Sequence, residues 1–72
     1  MTNTKLLEKK ISESGKKKFF LAKKIGLSYT GFRNCMLNKS EFRASQIDIL
    51  CSELGIFSLE EKEEIFFTKV GA

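Results

Sequence analysis

Residues 18–36, KFFLAKKIGLSYTGFRNCM, decide how this chain folds. A helix-turn-helix brings two helices together across a short turn. Such close packing needs a small residue inside the first helix and a glycine at the turn. Ala22 and Gly26, four residues apart, supply both. Glycine also reaches the left-handed backbone conformation that a tight corner requires. Leu21, Ile25, Leu27, Phe32 and Cys35 fall at the spacings that point inward from both helices. The stretch therefore predicts one helix over about 17–24, a turn at Ile25-Gly26-Leu27, and a second helix over about 28–37. Ser28 caps that second helix, and Phe32, Cys35 and Met36 form its apolar stripe.

Working outward, the chain reads as further short helices. Residues 4–14 form a helix capped by Thr4 or Asn3, with Leu7 and Ile11 on one face and Gly15 as its stop. Asn38 to Arg43 reads as a polar loop. Ser45 with Asp48 resembles a capping box, though Asp replaces the usual Glu or Gln. The helix it opens carries Ile47, Leu50, Cys51 and Leu54 at helical spacing and closes at Gly55. Ser58 with Glu61 is a standard capping box for a last helix over about 59–68. Period-2 alternation does not persist anywhere, and no Asn-Gly or Asp-Gly hairpin turn occurs. The expected fold is all-α: one domain over residues 1–72, a compact five-helix bundle with the helix-turn-helix at helices 2 and 3.

The 72 residues leave no room for a second domain. No apolar run approaches the ~18 residues of a membrane span. The start Met-Thr-Asn-Thr-Lys carries no apolar signal region, so a cytoplasmic protein is expected. Cys35 and Cys51 lack metal-ligand spacing and are too few for a disulfide scaffold, so both read as small core residues. There is no histidine, no phosphate-cradling glycine loop and no nucleophile–base pair. Neither an enzyme nor a metal or cofactor site is expected.

Charge is unevenly spread. Residues 1–43 hold eleven Lys and Arg against three Glu, giving +8, while residues 44–72 hold two Lys against six acids, giving −4. A basic front half fits a polyanion-binding surface. Within it, Lys16, Lys17, Lys18, Lys23 and Lys24 are either a solvated face or phosphate contacts. Phe19 and Phe20 read as core, although neighbours on a helix do not both point fully inward.

The segment FFLAKKIGLSYTGFRNCMLNK (19–39), with the helix before it and SQIDILCSELGI (45–56) after it, resembles the Cro/repressor-type helix-turn-helix domain of temperate phages and bacterial regulators. The resemblance covers about residues 4–56. The ending SLEEKEEIFF (58–67) resembles the tails of small lytic-side switch proteins of phages of low-GC Gram-positive bacteria: Cro-like proteins and modulators of repression. The resemblance implies a phage-repressor-type bundle whose third helix enters the major groove of double-stranded DNA. It implies base contacts from Tyr29, Thr30 and Asn34, with Arg33 reaching guanine or phosphate. It implies phosphate contacts from Lys18 and Ser28 and from Asn38, Lys39, Ser40 and Arg43. Gly31, unfavourable by about 1 kcal/mol inside a helix, is rationalised by close approach to DNA. Two departures stand out. Lys17 occupies the family's usual Ser or Thr cap, and the reading set holds a bulky Tyr29 in place of the frequent glutamines.

Two functions follow from the resemblance. One is a DNA-binding transcriptional regulator of a lysogeny/lysis switch in the host bacterial cytoplasm. The other is an antirepressor that binds a related phage repressor and keeps it off its operator. For the second, the last helix offers a candidate protein interface. Leu59, Phe66 and Val70 lie on one stripe with Ile65 and Phe67 on its flanks, an arc wider than one helix needs to bury. That arc is expected to pair with a repressor, to pair two copies, or to join the core. The cluster Glu60, Glu61, Glu63 and Glu64 is either a well-capped solvated start or a surface for a basic partner.

Overall fold

In the computed structural model, which describes residues 1–68, five helices follow one another: α1 (Thr4–Ser14), α2 (Lys18–Lys24), α3 (Tyr29–Met36), α4 (Ala44–Leu54) and α5 (Leu59–Phe66). No strand occurs among the described residues. The caps explain most of the boundaries. The Asn3 side chain accepts from the Leu6 N–H, Ser28 Oγ from the Gly31 N–H, and Ser58 Oγ from the Glu61 N–H. Each satisfies an amide that the first turn of a helix leaves unpaired. Lys17 precedes α2 without any side-chain cap, as its chemistry dictates.

The start of α4 differs from the expected Ser45–Asp48 box. Its cap residue is Arg43, whose N–H donates to Gln46 Oε1 at 2.8 Å. An arginine has no acceptor to return the bond, so only half of a capping box forms. α5 also ends earlier than expected, at Phe66, and Val70 lies outside the described residues.

The α2–α3 corner is tight. Gly26 has φ +78°, and the Leu27 N–H reaches back to the Ala22 carbonyl at 2.9 Å. A β-carbon on Gly26 would meet nothing within 4 Å, so the backbone angle demands glycine there, not lack of space. α2 packs most extensively on α3, and Ala22 is 2% exposed. Ala22→Leu should therefore overpack this contact and destabilise the domain by about 1–3 kcal/mol. Thermal melting should show this as a fall of several degrees; an unchanged midpoint would mean that the helices do not meet at Ala22.

The core includes Leu7, Ile11, Leu21, Ile25, Phe32, Ile47, Leu50 and Ile56 together with both cysteines. Leu27 and Met36 only pack against its edge. Cys35 and Cys51 are buried free thiols, and burial pushes both above the ordinary thiol pKa. Two expectations fail here, and one open choice is decided. Phe42, in the loop read as polar, is buried; its ring lies edge-on to Phe32 and Phe66, 6.0 Å from each. Ile65 and Phe66 are 1% and 3% exposed, so the broad apolar arc of the last helix is largely core. Phe19 and Phe20 point outward, because α2 spends its inward positions on Leu21 and Ala22.

The N-terminal residues are bonded to the end of α5 and the residue after it. The Asn3 N–H donates to the Ile65 carbonyl, and the Thr68 N–H to the Met1 carbonyl. Lys16 Nζ bonds both the carboxylate and the backbone carbonyl of Glu53 at 2.8 Å, tying the α1–α2 link to the end of α4. That hydrogen bond holds the Glu53 carboxyl below its ordinary value of 4.5. The pair's contribution is thus present above that value and fades as pH falls through the lowered one.

Candidate nucleic-acid interface

α3 is short, and its register decides what it can present. Phe32 and Cys35 are buried, so the opposite side is left to Tyr29, Thr30, Arg33 and Asn34. Residues four apart on a helix are neighbours, so 29 with 33 and 30 with 34 make one continuous stripe. The first three are exposed and Asn34 is half-buried. Ser28 is bonded to the Gly31 amide, which makes it first a cap. A β-carbon on Gly31 would sit 3.3 Å from Ser28 Oγ and 3.6 Å from Leu27 Cδ2. Gly31 thus has a reason within the chain itself: it leaves room for the Ser28 cap.

Residues distant in sequence converge on this stripe. Lys18, Tyr29, Arg33 and Met36 share a groove of about 330 Å³ with Thr4, Glu8, Phe32 and Leu37. The loop after α3 folds back on its end, with the Lys39 N–H donating to the Asn34 carbonyl at 2.9 Å and Ser40 following. Lys39, Ser40 and Arg43 are exposed, and Arg43 opens α4. Asn38 does not belong with them. It holds φ +59°, and its amide exchanges two hydrogen bonds with the Thr2 backbone, at 3.1 and 2.9 Å. These bonds lock the loop to the N-terminus and engage the amide oxygen and one of the two amide hydrogens.

The charges sort in the same way. Lys18 pairs with Glu8 at 2.7 Å in a half-exposed contact, which a phosphate can displace at small cost. Lys17, Lys23, Lys24, Arg33, Lys39 and Arg43 make no ion pair among the described residues. Between Glu13 and Glu41 the chain contains seven cations and no acid. This surface has uncompensated positive charge of the kind that attracts a polyanion.

α5 shows a different pattern. Glu61 is held by Lys10 at 2.6 Å, and the hydrogen bond raises the Lys10 pKa. Glu60, Glu63 and Glu64 remain exposed. Of the expected apolar interface only Leu59 and Phe67 reach solvent, and they border different grooves. Leu59 lies with Asp48, Phe57 and Lys62; Phe67 lies with Met1, Thr2 and Glu41. Nothing gathers them into one patch.

Sequence reasoning missed Phe19, whose exposed ring packs 6.5 Å from that of Tyr29. The signal was available. Once Leu21, Ala22 and Ile25 define the buried stripe of α2, steps of about 100° send Phe19 and Phe20 to the other side. Comparison with known proteins finds no matching family model, no matching curated protein and no matching solved structure.

Proposed function

We propose that this chain is a DNA-binding transcriptional regulator of a phage-type lysogeny/lysis switch, with α2 and α3 acting as a helix-turn-helix. The observation that carries the reading is the grouping of Lys18, Tyr29 and Arg33 on one groove, with Asn34 and Lys39 tied together at the other end of α3. A helix with its back in the core and a polar stripe in front fits the major groove. Asn34 suits adenine and Thr30 a thymine methyl. Lys18, Lys39, Ser40 and Arg43 suit flanking phosphates. Ser28 would reach a phosphate only through the hydroxyl that already caps α3.

A second reading, the antirepressor, keeps one supporting observation: Glu60, Glu63 and Glu64 stand exposed on α5. They offer an acidic surface to the basic DNA-binding side of a repressor. The apolar route to such a complex falls away with the burial of Ile65 and Phe66.

Gel shifts on randomised duplexes test the first reading. Lys39→Ala should weaken binding alike on every selected sequence, while Asn34→Ala should relax the preference at one base pair, a change of about 1–3 kcal/mol. Calorimetric titration of a cognate repressor with wild-type chain and with a Glu60/Glu63/Glu64→Gln variant tests the second. Absence of duplex binding, with a salt-sensitive heat that the variant loses, would replace the regulator by the antirepressor.

A further inference from the structure

Of the four phenylalanines that reach solvent, Phe57 and Phe67 lie near α4 and α5, but Phe19 and Phe20 stand in the middle of the lysines of α2. Phe19 is 63% exposed and Tyr29 48%, their ring centroids 6.5 Å apart and their planes inclined by 31°. Beside them Phe20 carries two ammonium groups over its ring, Lys24 at 5.6 Å and Lys16 at 5.9 Å. Lys23 and Lys24 follow Phe19 and Phe20 by one turn, at helical neighbour spacing. Aromatic faces therefore alternate across the outer side of α2 and the start of α3 with Lys17, Lys23 and Lys24, which make no ion pair among the described residues.

Neither core packing nor duplex reading explains this arrangement. Exposed aromatic rings cost solvation without a partner, and a base pair inside a duplex offers only its edge. An unpaired strand offers what the patch lacks: base faces to lie on the rings and phosphates to meet the ammonium groups. Proteins that hold single strands combine these two features, aromatic platforms within a positive surface.

We propose that the outer face of α2, with Tyr29, is a single-stranded nucleic-acid site. Bases stack on Phe19 and Tyr29, and Lys17, Lys23 and Lys24 hold the phosphates. The site borders the proposed duplex-reading stripe and shares Tyr29 with it, but it does not depend on it. Phe19, Phe20 and Lys23 belong to this site alone.

Tyr29 supplies the readout, because the chain has one tyrosine and no tryptophan. Its emission should be quenched as an oligo(dT) strand of about twelve nucleotides is titrated into the full chain, and a base-paired duplex should quench it less. Phe19→Ala should weaken strand binding roughly 5- to 150-fold, the range for one lost stacking partner. Phe57→Ala removes a still more exposed ring from the α4–α5 side and should change nothing. Circular dichroism melts of both variants confirm that each is folded. Three results would each overturn the proposal: unchanged Tyr29 emission, equal affinity of Phe19→Ala and wild type, or equal weakening by Phe57→Ala. Binding to anionic phospholipid vesicles without binding to oligo(dT) would also overturn it and assign the patch to a membrane surface. Duplex gel shifts with Asn34→Ala report on the duplex stripe separately, so the two sites fail or stand independently.

Discussion

Phe66→Ala should destabilise this domain by about 3–5 kcal/mol, the usual range for removing a buried phenylalanine. A chain of this length has only about 4–11 kcal/mol in total, so the variant should sit close to unfolding at room temperature. The reason is positional. Phe66 is 3% exposed, and its ring meets Phe42, which in turn meets Phe32 edge-on. Edge-to-face pairs contribute beyond the area they bury. The series links α5, the loop before α4, and α3, so truncation leaves a cavity that three elements must close. Phe67, the next residue, is 57% exposed. Phe67→Ala should stay within about 0.5 kcal/mol of wild type. Urea denaturation of the two variants side by side measures this, with the slope checked for constancy. Equal losses would mean that α5 is not seated as described, and a larger loss at Phe67 would restore the last helix as an interface.

Duplex binding, if it proceeds as proposed, should collapse with salt. Contact with about four phosphates gives a slope of log affinity on log salt near −3 to −4 per subunit. Raising salt from about 50 to about 200 mM should then weaken binding roughly a hundredfold. The physical cause is the release of cations condensed on the DNA, which becomes less favourable as bulk salt rises. Lys18, Arg33, Lys39 and Arg43 supply the charge. Anisotropy titrations at four salt concentrations measure the slope. Lys39→Ala should reduce it by about one. Lys16→Ala should leave it nearly unchanged, because the Lys16 ammonium is engaged by Glu53. A slope near zero would remove the electrostatic basis of the reading.

Much of the candidate site was legible in the sequence because its signals are local. Gly26 had to supply a positive φ, Ala22 had to be small, and Ser28 had to cap α3; each depends on neighbours within a few residues. Lys18, Tyr29 and Arg33 line one groove, and the Lys39 N–H bonds the Asn34 carbonyl at the end of α3. The Asn38 contact was not legible, for the opposite reason. Its partner is Thr2, thirty-six residues away, and no spacing rule reports that contact.

The order of the five helices, the Ser28 and Ser58 caps and the turn at Gly26 were set by the sequence alone, since hydrogen bonds within one or two turns decide them. The division of the apolar residues between core and surface was decided only by tertiary packing. Seven phenylalanines look alike in a sequence, and a small core has room for few of them. Phe32, Phe42 and Phe66 fill it because their rings meet from three separate elements. Phe19 and Phe20 are left outside because Leu21 and Ala22 already occupy the inward side of a seven-residue helix. Burial is a competition among the elements for one limited volume, and its outcome depends on how α5 and the loop around Phe42 seat against α3.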